Sequence, residues 1–364
     1  MGILKEAEIG FRRFLVLFLG LFVHRSTPFD PAVNFNACKF LFIRQDRIGD
    51  VLVSTPIFSF LKRAYPSVSI DVLLSSNNYS VLDNALHIRK RWLYRKSVFS
   101  ALGLIRALRR ERYDFVIDLM DNSSATSTLL LAFAGGKWNV GLEKDNAYVY
   151  DIRVPLLSRR DVHIVERLAE LLKPLGVKVR NQDLRVDYTI ADSSKAQVRQ
   201  FLQSAGLNEK QIVGINISSG SETRFWGIAN FRDLILSITS ANRDYHILLL
   251  YHPRDVQRVR DIAVSLPRVH ISLATNSFDH FAAFIHALNF LITPDTSAVH
   301  LAAAFQIPAV VLYVQSNKDL RIWEPYNSPS ETLVTEVDDL TTIPPMRVFE
   351  AFQRLASRTP GKRP

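Results

Sequence analysis

The chain has 364 residues, 48% apolar and 22% charged, which excludes a disordered polymer and leaves room for two domains with separate cores. Cys38 is its only cysteine, so neither a disulfide framework nor a cysteine-built metal site is available, and a reducing compartment suits it. The net charge of +10 is unevenly spread: between His87 and Arg112 lie nine basic residues and one acid, Glu111, a run that either attracts an anionic partner or forms a solvated helix face.

In chain order, residues 11–23 (FRRFLVLFLGLFV) come first. The apolar core is too short to span a bilayer as a helix, which takes about 20 residues, and no small-residue cleavage site follows it. Such a segment lies in a membrane interface with its arginines at the headgroups, or packs on the protein's own surface. Residues 26–37 hold two prolines and read as a linker.

From Lys39 onward, short apolar runs alternate with helical spacing. Strands are expected at 39–45, 69–75, 113–120, around Val140 and at 148–154, with helices near 51–64 and 123–133 and a turn at Gly135-Gly136. The second half repeats the scheme, with strands at 212–218, 245–251, 269–273, 289–295 and 309–314 and helices near 229–242, 254–265, 277–288 and 297–305. Strands alternating with helices imply βαβ units and parallel sheets. Residues 178–210 are polar and lack a strong strand, so the domain boundary is expected near 190.

Three strand-to-helix segments could carry chemistry. In Arg44–Leu52 (RQDRIGDVL), Gly49 permits a tight turn and Asp50 stands at a helix start, either as a cap or as a general base for a substrate hydroxyl. In Thr293–Ala304 (TPDTSAVHLAAA), the hydroxyls of Thr296 and Ser297 and the N–H groups of a helix terminus make a ready phosphate site, with His300 one turn on. The polar loop Asn216–Trp226 (NISSGSETRFW) carries Arg224, able to neutralise a diphosphate, or is simply a loop. Neither a G-x-G-x-x-G nor a Walker lysine motif follows the first strand, which argues against a dinucleotide or ATP site. The nine histidines show no H-x-x-x-H metal spacing.

These segments, in this order, resemble glycosyltransferase family 9, which contains the lipopolysaccharide heptosyltransferases. The resemblance runs from about Lys39 to Asn327 and rests on FIRQDRIGDVLVSTPIFSFLKRAYP (42–66), RFWGIANFRDL (224–234), DTSAVHLAAA (295–304) and Trp323-x-Pro325. It implies a GT-B architecture: two Rossmann-like domains with parallel sheets facing a central cleft, preceded by the amino-terminal apolar helix. The expected segments are 1–37 for that helix and linker, 38–190 for the acceptor domain, 191–345 for the nucleotide-sugar domain and 346–364 for a final helix and basic tail. The family's catalytic base falls on Asp50, and its donor positions fall on Ser218, Ser219, Arg224, Asp295, Thr296, Ser297 and His300. Arg44, Arg47, Arg89 and Arg91 are the acceptor-binding candidates.

The implied reaction is an inverting, metal-independent transfer, without a cofactor, from an ADP-linked sugar, with heptose favoured, to an anionic lipopolysaccharide-type glycolipid. The implied location is the cytoplasm, in peripheral contact with the inner membrane, and no nucleic-acid partner is expected. A catalytically inactive scaffold and a nucleotide-sugar epimerase on a similar fold are the alternatives. The chain departs from the family pattern at Arg224 (usually Lys), Gly227 (usually Pro) and Ser297 (often Gly). The candidate for the nucleotide-contacting acid is Asp255.

Overall fold

Continuous apolar runs such as KFLFI and AVVLY bury both faces of a strand, as a parallel sheet covered by helices requires. The computed structural model describes residues 27–359 except Pro31, Lys96, Asn276 and 316–320, together with Phe18 and Gly20. The chain divides between Leu184 and Arg185 into two compact units.

The first unit holds β1 (Lys39–Ile43), β2 (Ser69–Ser75), β3 (Lys90–Tyr94), β4 (Phe115–Asp118), β5 (Trp138–Leu142) and β6 (Ile152–Val154). They form one sheet in the order β3-β2-β1-β4-β5-β6, with every pair parallel. The second unit holds β7 (Gln211–Asn216), β8 (Tyr245–Leu250), β9 (Val269–Ile271), β10 (Phe290–Pro294), β11 (Ala309–Tyr313) and β12 (Ser330–Val334). Its all-parallel order is β12-β11-β10-β7-β8-β9. Read from the other edge this is the same doubly wound order, so the strand order of each sheet reverses at its centre. The crevice beyond the carboxyl ends of the two central strands is where such sheets bind ligands. In the first unit that point lies between β1 and β4, and in the second between β7 and β10.

Several elements differ from the sequence reading. The basic run at 87–112 contains β3, which its residue pattern does not announce, and the helix Val98–Glu111, in line with the solvated helix face offered for it. β3 is an edge strand whose five residues are all half-buried, so it lacks a continuous apolar signal. β12, an edge strand of the second sheet, is also hidden, since its residues are mostly half-buried or exposed, whereas the edge strands β6 and β9 fall within expected runs. The polar stretch before β7 contains the helix Asp192–Ser204, which buries only Ser194, Val198 and Leu202. The single helix expected near 51–64 is two, Ile48–Leu52 and Thr55–Ala64, the second opening with Pro56 in its first turn. The helix Pro345–Arg358 packs Val348, Ala351, Phe352 and Leu355 into the second unit's core.

The amino-terminal apolar segment lies outside the described residues apart from Phe18 and Gly20, and so does the tail after Thr359. Among the described residues, no helix is long and apolar enough to cross a membrane.

Candidate active site

The first candidate segment leaves β1 at the reversal point of its sheet. Asp50 is the third residue of the helix Ile48–Leu52, and its Oδ2 accepts the Arg47 backbone N–H at 3.0 Å. It therefore caps the helix, yet 7% of its surface still reaches solvent. Arg44 is 0% exposed. Its Nε donates to the Asp50 carbonyl at 2.9 Å, one Nη to the Leu119 carbonyl just past β4, and the other Nη to Asp50 Oδ1 at 3.4 Å. Asn78, also fully buried, donates to the Arg44 carbonyl at 3.1 Å and fixes that turn from the β2 side.

Beside this pair stands Asp46, which the sequence pattern does not mark. Its Oδ2 lies 3.4 Å from Arg44, and its Oδ1 is buried without a hydrogen-bond partner. Burial pushes its pKa up to about 6, with Asp50 and Asp118 adding to the rise and Arg44 opposing it. The unfolded chain releases this proton near pH 4, whereas the folded protein holds it to about pH 6, so folding stability falls as pH rises through that window. Asp46→Asn is therefore expected to raise the thermal midpoint by about 2–4 °C at pH 7.5 and by little near pH 4, in melts run at both. Equal shifts at the two pH values would rule out ionisation as the cause.

Deeper along the same strand ends, Asp118 is fully buried and takes Lys144 Nζ at 3.0 Å and the Tyr150 hydroxyl at 2.7 Å. Burial and the neighbouring Asp118 raise the Tyr150 pKa well above its ordinary value, so it serves as a donor. Gly141 on β5 makes room for this ring, because a side chain there would collide with Tyr150.

The four expected acceptor-binding arginines are not brought together. Arg44 is consumed inside the protein, so the expectation that it contacts an acceptor is corrected to a structural role. Arg89 precedes β3, at the amino end of the sheet and opposite to Asp50, and holds Asp71 in two bonds of 2.9 and 2.6 Å. It also meets Glu111 at 2.9 Å, while Arg91 pairs with Asp83 and lies over the Tyr79 ring. Internal carboxylates therefore occupy both. Arg47 alone is exposed at the Asp50 end.

In the second unit the two remaining segments leave neighbouring strands at the reversal point. Asn216 ends β7, and its Nδ2 donates to Thr293 Oγ1 at 3.0 Å, Thr296 Oγ1 at 3.3 Å and the Ser218 carbonyl at 3.3 Å. Spacing along the chain gives no sign of this tie between the two loops. Thr296 caps the helix Ser297–Phe305 through its Oγ1, which accepts the Ala298 N–H at 3.3 Å. Arg224 reaches across to Asp295 at 3.2 Å, both about one-third exposed. A carboxylate facing a diphosphate would repel it, so Asp295 suits the task of holding Arg224 for an anion.

Ser218 Oγ donates to Asp255 Oδ2 at 2.6 Å and accepts the His252 N–H at 2.8 Å, so Asp255 does join this site. Ser219 Oγ donates to the Ser221 carbonyl at 2.7 Å. His300 is 5% exposed, with its ring centroid 6.3 Å from that of Trp323. Gly227 adopts φ +97°, a conformation closed to proline, so this backbone does not admit the residue expected there from the resemblance.

Residues 101–340 match Glycosyltransferase family 9 (heptosyltransferase). The chain is 26% identical over 292 residues to lipopolysaccharide heptosyltransferase 3 of Escherichia coli, covering 77% of this chain and 84% of that one. It is 25% identical over 296 residues to lipopolysaccharide heptosyltransferase 1 of Salmonella typhimurium, covering 76% and 88%. A solved family 9 glycosyl transferase from Veillonella parvula superposes with a TM-score of 0.77 at 19% identity, covering 91% of this chain and all of that one. E. coli ADP-heptose lps heptosyltransferase II superposes with a TM-score of 0.70 at 21% identity, covering 88% and 99%.

Proposed function

This chain belongs to glycosyltransferase family 9 and is a glycosyltransferase, and from that premise we propose that it transfers heptose from ADP-heptose to a lipopolysaccharide core or related anionic glycolipid. The relatives named as lipopolysaccharide heptosyltransferases support the sugar and the acceptor class. One observation carries the reading. Asp50 and the Arg224–Thr296 group each lie beyond the carboxyl ends of the central strands, where a doubly wound sheet receives its ligand.

In the proposed reaction, on a GT-B framework, the first unit binds the acceptor and the second the donor. The Asp50 carboxylate takes the proton of an acceptor hydroxyl, whose oxygen attacks the anomeric carbon from the face opposite the nucleotide. The bond from that carbon to the diphosphate oxygen breaks, the oxygen keeps the electron pair, and the configuration inverts. The departing charge meets Arg224, the Thr296 and Ser297 hydroxyls and the amino-terminal dipole of Ser297–Phe305, all fixed in advance. Arg224 keeps one Nη on Asp295 and offers its remaining N–H groups to the phosphates. Asp255 and Ser218 face the nucleoside, and His300 adds a hydrogen-bond donor to the diphosphate. The scheme calls on no metal or cofactor.

Calorimetric titration with ADP, UDP, GDP and CMP tests the donor assignment. ADP is expected to bind most tightly, and His300→Ala to weaken it about tenfold, on the scale of one charge-assisted contact. Preference for another nucleotide would exclude ADP-heptose, and binding of none would overturn the donor site.

A further inference from the structure

Helix Val98–Glu111 turns Leu104 and Leu108 into the first unit's core. Its opposite side is unusual: Phe99 is 88% exposed and Leu102 56%. At about 100° per residue, Phe99, Leu102, Gly103, Arg106 and Arg110 share one stripe roughly 100° wide, with Arg109 at its margin. A side chain added at Gly103 would meet nothing within 4 Å, so the stripe is open. Scattered exposed apolar residues are ordinary. A phenylalanine and a leucine one turn apart, continued by arginines on the same stripe, are not scattered.

The charge on this stripe is uncompensated. The helix's one acid, Glu111, faces away and is taken by Arg89, Lys90 and Lys39. Among the described residues, no ion pair involves Arg95, Arg106, Arg109 or Arg110, all of them exposed. An apolar tip followed by unpaired arginines complements a surface that is greasy within and anionic outside. Orientation adds to this. The helix follows β3, so its first turn, with Phe99 and Leu102, lies at the carboxyl ends of the strands, the same end of the sheet as Asp50.

We propose that this helix face seats the first unit on an anionic phospholipid bilayer. Phe99 and Leu102 enter the boundary between headgroups and acyl chains, and Arg95, Arg106, Arg109 and Arg110 meet lipid phosphates. The seat draws on none of the residues of the apolar segment at 11–23. It brings the Asp50 end of the sheet to the bilayer, where a lipid-linked acceptor would be held. That last consequence rests on the proposed function; the seat itself does not.

The test is flotation of the full chain with vesicles of phosphatidylethanolamine and phosphatidylglycerol, and with vesicles of phosphatidylcholine alone. Wild type is expected to prefer the anionic vesicles and to bind them less at high salt. Phe99→Ser with Leu102→Ser should lower that partition about tenfold or more, and Arg106→Glu with Arg110→Glu about thirtyfold. Both pairs should keep the wild-type melting midpoint, since all four side chains are exposed. Transfer to a detergent-solubilised acceptor, assayed in parallel, should be unchanged, which separates failure of the seat from failure of the transfer reading. Unaltered partition of both double variants would overturn the proposal and leave binding to the segment at 11–23. It is equally overturned if wild type ignores the anionic vesicles, or if the serine pair instead abolishes a dimer, which would make a second copy the occupant.

Discussion

Asp50→Asn is expected to lower kcat by about 10²–10⁴-fold while leaving nucleotide affinity at the wild-type value. The substitution keeps the size of the side chain and one of its two acceptor oxygens. That oxygen can still receive the Arg47 N–H, the closer contact at 3.0 Å, so the helix start survives. What is lost is the basic oxygen facing Arg44 at 3.4 Å, and with it the capacity to remove a proton from a hydroxyl. An amide beside a guanidinium also sets donor against donor, which costs about 1–3 kcal/mol of stability. Cap and base are thereby separable. If Asp50 only caps the helix, the variant melts earlier but turns over at nearly the wild-type rate once folded. If it is the base, turnover collapses at temperatures where the variant is fully native. A steady-state assay beside a melting curve distinguishes them, and a kcat within about threefold of wild type would remove Asp50 from the chemistry.

Much of this site is legible in the amino-acid sequence alone, for a physical reason. A buried parallel strand must be apolar on both faces, so β1, β2, β4, β7, β8, β10 and β11 stand out, and the polar residues just past them are natural site candidates. Of the edge strands, β6 and β9 fall within expected runs, whereas β3 and β12 are hidden because charged or polar residues interrupt their apolar pattern. The arginine run shows a second limit. Residue type tells of positive charge but not of which end of the sheet it occupies, nor that Asp71, Glu111 and Asp83 take up Arg89, Lys90 and Arg91. Asn216 and Asp46 matter through neighbours up to 80 positions away, or through burial, and spacing along the chain reports neither.

Arg44 is subject to the same limit, and its replacement should have a large effect. Read from the sequence it is a cation at the mouth of a site; in the fold it bridges the ends of β1 and β4. Arg44→Met fills a similar volume but takes its donors from the Leu119 and Asp50 carbonyls, the latter keeping the Ser54 hydroxyl, and leaves Asp46 and Asp50 without their shared cation. Breaking a buried ionic group by deleting one partner typically costs about 3–5 kcal/mol, and a loss of that size is expected in chemical denaturation. Arg44→Lys should fall between, because a single ammonium can replace the charge but not a fork that reaches three acceptors. The loss should also be smaller in acid. Without Arg44 the proton on Asp46 is held above pH 6, and a neutral carboxyl needs no cation beside it. A methionine variant within about 1 kcal/mol of wild type at neutral pH would mean that water reaches these carboxylates. Arg44 would then not be the rigid support that holds Asp50 in place.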